Sequence, residues 1–349
     1  MFGVLRTSLA LMVMIFHVYI GDLPLGSYAV FGFFIISGYL MTLIMQESYG
    51  YVTSGRISFI INRFLRLHPL YWLACMVTIV LIYFIGDENV RNFHASMQLP
   101  TSTSNWAQNI FMVFPSWKPG TIHPRLVPPT WAITIEMFYY ALICFGLSKT
   151  LNRVKVWILL SVVYIVYTFL YGLPWQSRYF HVFAASLPFS IGAFIYFCTQ
   201  KKPKLQIVKP QIFNAKRLFC LMLVNCIIWV LIPKKALGVY YEIGFYINII
   251  ICGFLVYSIA IGGVVLNISK KLDKFIGDYS YPIYLLHLQG ALISSYFLFG
   301  KAHNFHIITP SSTLNFLLAL FVVLFLSTIF ILVFEKPIQK VRQRIKSNI

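Results

Sequence analysis

The sequence predicts an all-α polytopic membrane protein of about ten transmembrane helices, with both termini inside. Three observations predict it. Hydrophobic residues make up 59% of the 349 positions and charged residues only 11%, against about 25% charged in an ordinary soluble chain. Mean hydropathy is +0.78. The apolar residues also fall into separate runs, each long enough to cross a hydrocarbon core of about 30 Å. The whole chain, 1–349, reads as a single integral membrane domain with no separate soluble domain.

The runs lie at about 2–20, 28–46, 69–86, 131–148, 156–172, 180–199, 217–233, 241–266, 279–299 and 313–335. An even number puts both ends on one side. With the N-terminus inside, 21 of the 28 Lys and Arg residues fall in inside segments, so the excess of basic residues in cytoplasmic loops gives N-in and C-in. Residues 56–68, 149–155, 201–217 and 336–346 are then inside loops or tail. The outside stretch from Asp87 to Thr130 is long, without obvious structure, and rich in Pro, Ser, Thr, Trp and Asn. A loop of that length is commonly a lid or binding loop. Its aromatic and amide side chains suit a sugar-like acceptor and equally an interfacial aromatic belt.

A formal net charge of +19 raises the question of nucleic acid. The basic residues are dispersed between apolar runs, so anionic lipid is the expected partner and nucleic acid is not. The six cysteines, Cys75, Cys144, Cys198, Cys220, Cys226 and Cys252, all lie in apolar runs without ligand spacing. They read as small buried hydrophobes, and no metal site is expected.

The first run, MFGVLRTSLALMVMIFHVYIG, carries Arg6 and His17. Eleven residues of helix advance about 1100°, so both side chains face one way, about 16–17 Å apart along the axis. Ionisable groups in a bilayer are expensive and point to function. A signal peptide is the competing reading of this run, but no small-residue cleavage site follows His17. As chemistry, an imidazole near neutrality can take and return the proton of an alcohol. It can equally be an interhelical hydrogen bonder. Arg6 can snorkel to headgroups or grip a phosphate.

Further along, Arg63 and Arg66 are i, i+3 neighbours in Asn62-Arg63-Phe64-Leu65-Arg66-Leu67-His68-Pro69, just ahead of a proline taken to open the third span. They suit anchoring at the inner surface or an anion site for a phosphorylated cofactor. Glu136 is the carboxylate well inside an apolar run, at a depth comparable with His17. It must pair or stay protonated, and can orient a histidine, bind an acceptor hydroxyl, or partner another buried polar group. Tyr284 and His287 share a face in the ninth run, as interhelical glue or cavity lining. Glu335 ends the last run, where a helix-terminal ion pair is expected.

Arg6-x10-His17, Phe33-Phe34-Ile35-Ile36-Ser37-Gly38-Tyr39-Leu40 and Arg63-Phe64-Leu65-Arg66-Leu67-His68-Pro69-Leu70-Tyr71 together resemble the acyltransferase 3 family of integral membrane acyltransferases. Trp131, Glu136 and Tyr139, then Ser280-Tyr281, Tyr284 and His287, then Glu335-Lys336-Pro337, continue the pattern in order over nearly the whole chain. The resemblance implies ten helices and transfer of an acyl group, commonly acetyl, from cytosolic acyl-CoA to a glycan or similar acceptor at the outer face. It implies the spaced Arg6 and His17 pair as the catalytic signature and puts the family's arginine-rich motif on Arg63 and Arg66. With the residues read above, His17 is the expected base, Glu136 the catalytic group that orients it or binds the sugar, and Arg6, Arg63 and Arg66 the expected binders of the acetyl-CoA or other acyl-CoA donor. Ser37, Tyr284 and His287 would contact substrate.

Two departures stand out. Asn62 replaces the first of two adjacent arginines common in the family, and Phe31-Gly32 stands where an acidic residue often precedes the Phe-Phe pair. The expected function is therefore O-acetylation of a surface polysaccharide such as lipopolysaccharide, or of its lipid-linked precursor, in the bacterial inner membrane. The rival reading is a transporter or flippase for a glycolipid or organic anion. Against it, no inverted repeats or Gly/Pro-broken helix pairs are evident.

Overall fold

A computed structural model describes residues 2–21, 24–200, 214–231, 242–305 and 307–347, and among them every regular element is a helix. The chain begins with α1 (Gly3–Val18), whose first amides are held by a distant carboxylate: Gly3 N and Val4 N each donate to Asp273 at 3.0 Å. Negative charge at a helix N-terminus satisfies orphan donors and complements the dipole. Next come α2 (Leu25–Ile44), continued by a wider turn at Met45–Tyr49, and α3 (Thr53–Ile85). Two short helices, α4 (Asp87–Phe93) and α5 (Thr103–Phe111), precede α6 (Thr130–Cys144) and α7 (Leu151–Leu170). Then follow α8 (Trp175–Tyr179), α9 (Ser186–Gln200), α10 (Ala215–Leu231), α11 (Ile243–Ala260) and α12 (Lys270–Asp278). The last three are α13 (Ser280–Phe299), α14 (Pro310–Ile329) and, after a second wide turn, α15 (Lys336–Ser347).

The protein is an all-α polytopic membrane protein. Seven stretches among the described residues are long and apolar enough to cross a bilayer, and α1 and α6 are shorter apolar helices. Each expected apolar run contains a helix over most of its described part, with residues 145–148 and 261–266 as turns or irregular chain at the ends of the fourth and eighth. The end of the seventh run at 233, the start of the eighth at 241, and residues 201–213 of the third inside loop lie outside the described residues.

Three expectations change. Residues 56–68 are no loop, because α3 starts at Thr53 and carries Pro69 in its interior. A proline inside a membrane helix costs one backbone bond, a loss that neighbouring helices and local adjustments can make good. The stretch 87–130 is structured: Asp87 and Glu88 open α4, and Ser102 caps α5 by accepting from Asn105 N at 3.2 Å. The basic tail 336–346 is helical too, as α15.

The interior is organised on α2, whose apolar stretch is 78% buried, against 22% for α7 at the periphery. α2 packs against α1, α9 and α11, while α1 also contacts α12 and α13. In a bilayer, helices associate through close packing and polar contacts rather than hydrophobic drive, which favours small residues. Gly38 and Gly192 show this. A Cβ on Gly38 would lie 2.1 Å from the Phe189 carbonyl oxygen, and one on Gly192 would lie 2.1 Å from that of Ile35. The α2 and α9 backbones therefore touch directly.

Candidate active site

α1 links two polar clusters, one at its Arg6 end and one at its His17 end. The first surrounds a cavity of about 810 Å³, open mouth included, between α1, α2, α3, α6 and α13. Arg6, Arg63 and Arg66 line it together with Ser37, Glu136, Tyr140 and Tyr284. The Asp273 bonds and a bond from Thr7 Oγ1 to the Ile276 carbonyl, 2.7 Å, fix the first turns of α1 and so place Arg6.

Each charge in the cavity has its own setting. Arg66 pairs with Glu335, a residue 6% exposed, so the expected helix-terminal ion pair joins α3 to the end of α14. Arg63 donates through Nη2 to Asn62 Oδ1 at 3.1 Å and lies over the Phe59 ring. Glu136 accepts through Oε1 from both Ser37 Oγ and Tyr140 OH. Tyr140, one turn after Glu136, carried no signal in the sequence beyond its i, i+4 spacing.

The second cluster joins α1 to α13. Nδ1 of His17 lies 3.0 Å from Nε2 of His287, and the rings stack at 5.0 Å with an interplanar angle of 12°. His287 is fully buried, and its Nδ1 lies 2.9 Å from the carbonyl oxygen of Tyr284. A carbonyl only accepts, so His287 carries its proton on Nδ1 and presents a lone pair at Nε2. That lone pair must accept from His17 Nδ1–H, and the lone pair of a neutral His17 ring then falls on Nε2. The side chain seated on this face of His17 is thus His287, while Glu136 lies with the arginines. His17 is half-buried against α13 and does not line the cavity itself. Tyr284 connects the two clusters, because its side chain lines the cavity and its carbonyl holds His287.

Residues 87–129 close over this second end. Tyr284 OH donates to the Pro129 carbonyl at 2.8 Å, and Tyr71 OH to that of Asn109 at 2.6 Å. Arg125, 4% exposed, donates to the carbonyls of Pro128 (3.1 Å), Pro119 (3.2 Å), Gly120 (3.0 Å) and Ile122, and to Ser96 Oγ (3.1 Å). One guanidinium thereby ties together a segment with little regular structure. Burial pulls its pKa down to about 10. Burial first, then the Arg125 and His123 charges, pulls the nearby His94 imidazole down to about 4. Nearby, Arg178 and Glu242 form a bidentate buried pair, both contacts at 2.6 Å. Neither Arg125 nor Arg178 stood out in the sequence, since each sits alone among polar or aromatic neighbours.

No curated protein and no solved structure matches the chain. The family model described as acyltransferase domain matches residues 2–335. That match takes in both clusters and the helices that hold them, so the chain belongs to the acyltransferase 3 family and is a membrane acyltransferase.

Proposed function

We propose that the protein is an inner-membrane O-acyltransferase with ten spans and both termini in the cytosol, moving an acetyl group from acetyl-CoA to a hydroxyl of a surface polysaccharide or its lipid-linked precursor. The observation that carries this reading is the separation of the two clusters along α1. A group of arginines lining one cavity stands at one end and a histidine pair of defined tautomer at the other, about 16–17 Å away by helical rise.

Arg6, Arg63 and Arg66 hold the donor phosphates at the cytosolic mouth, where guanidinium forks suit phosphate oxygens. The pantetheine arm follows the cavity toward Tyr284 and His17. His17 Nε2 takes the proton of the acceptor hydroxyl, and the oxygen attacks the thioester carbonyl. As the tetrahedral centre collapses, the C–S bond breaks and the thiolate recovers the proton from His17. His287 fixes the ring and accepts from Nδ1–H as positive charge develops. Its role parallels the orienting member of a nucleophile–base pair. Glu136 has both donors on Oε1, which leaves Oε2 to accept from a substrate group.

The test is incubation of membranes with radiolabelled acetyl-CoA and the glycan. Label appears on the glycan with the wild type, and is lost with His17→Ala at equal membrane abundance. Glycan movement across the membrane without label would instead establish a carrier.

A further inference from the structure

Asn62 is 4% exposed, and its amide oxygen serves two guanidinium groups at once. Oδ1 accepts from Arg63 Nη2 at 3.1 Å and from Arg342 Nε at 3.0 Å, while Nδ2 donates to the Arg342 carbonyl at 3.0 Å. Arg342 comes from α15, so Asn62 reaches across 280 positions of sequence to bring a fourth arginine beside Arg63. Two carboxylates lie near these four cations, and each already has a partner on one oxygen, while Glu335 keeps a buried Oε2 without a hydrogen bond. Glu335 pairs with Arg66, and Glu136 accepts from Ser37 and Tyr140.

Like charges held against one neutral oxygen repel, and a low-dielectric setting strengthens the repulsion. Asn62 contributes no charge to offset it. Arg63 Nε is in addition buried without a hydrogen-bond partner, a group that a ligand acceptor would satisfy. A purely structural network would place a carboxylate here. A neutral amide between two cations holds a site for an anion that arrives from outside, and two forks suit a dianion.

We infer that Arg342 and Arg63, drawn together by Asn62, bind a phosphate monoester of the acyl donor: the 3′-phosphate of a coenzyme A thioester. The assignment rests on the donor reading above. Arg6, Arg63 and Arg66 line the cavity, whereas Arg342 does not and comes from α15, which follows Glu335 at the end of the last apolar run. The ribose phosphate is the one farthest from the thioester, and the diphosphate falls to Arg6 and Arg66. Asn62 is a positioning residue, and Arg342 a binding one.

The test is isothermal titration of the detergent-solubilised full-length protein with coenzyme A and with 3′-dephospho-coenzyme A. The wild type is expected to prefer coenzyme A by about tenfold or more, the effect of a lost charge-assisted contact. Arg342→Gln abolishes the preference and leaves dephospho-coenzyme A binding unchanged. Asn62→Asp supplies the missing negative charge, so the preference falls about tenfold while the thermal midpoint holds or rises. A merely structural contact would move affinity and midpoint together. Should Arg342→Gln fail to accumulate, Asn62→Asp decides alone. Retention of the preference in these variants overturns the inference and leaves the donor reading standing. Failure of the wild type to bind either nucleotide removes both.

Discussion

His17 Nδ1 and His287 Nε2 stand 3.0 Å apart on two helices separated by 270 residues of sequence, with the Tyr284 carbonyl behind the second ring. The carbonyl dictates where both protons sit. His287→Ala is expected to lower transfer by about 10²-fold or more, the scale of a misdirected general base. His287→Gln keeps an acceptor for the Nδ1 proton and is expected to lose less than about tenfold. Single-turnover transfer with saturating donor measures both, and equal losses in the two variants would refute the tautomer role.

Glu136 carries the acidic function of the cavity. Glu136→Gln keeps an oxygen for Ser37 and Tyr140 but removes the charge. If the carboxylate contacts substrate during transfer, kcat falls by about tenfold or more while donor affinity changes by less than about twofold. A matched loss in both would make it a donor-binding or structural group.

His94 makes the 87–129 segment sensitive to acid. Burial, Arg125 and His123 hold its imidazole at about 4, below the ordinary value of 6.5. The folded state therefore binds fewer protons than the unfolded state between those values. The stability it contributes is full above about 6.5 and declines as pH falls toward 4. Its Nδ1 also accepts from Ser96 N at 3.2 Å, a bond that protonation breaks. Limited proteolysis of the segment should accelerate between pH 7 and pH 5, and His94→Asn should flatten the profile.

Arg125 holds the same segment mechanically. Arg125→Met leaves the carbonyls of residues 119, 120, 122 and 128 without their shared donor, at about 1–3 kcal/mol for each that finds no substitute. A lowered thermal midpoint and rapid cleavage within 87–129 are expected. An unchanged digestion pattern would show that the segment is held by other contacts.

The sequence displayed the membrane helices because apolar runs and charge asymmetry are properties of short windows. Arg6 and His17 were legible as a pair for the same reason, being on one helix at a helical spacing. The partnerships were not. His17 meets His287, Arg66 meets Glu335 and Asn62 meets Arg342 across 269 to 280 positions, and no local period encodes a contact between helices. Glu136 illustrates the limit. Its place inside the α6 run was readable, but not its level: expected beside His17, it lies with Arg6, Arg63 and Arg66, and its neighbours Ser37 and Tyr140 depended on how α2 and α6 turn toward each other. Pro69 misled for a physical reason as well, since a proline ordinarily opens a helix and here lies inside one.

The direct backbone contact between α2 and α9 at Gly38 and Gly192 bears on what the enzyme can come to accept. Ser37 sits beside one of those glycines, so the wall it belongs to is braced by main chain and has nowhere to retreat. On the donor path proposed above, a bulkier donor would not be admitted by letting that helix breathe outward. Room for it has to be carved one side chain at a time from α1, α6 or α13, which makes donor selectivity a trait that shifts in small steps.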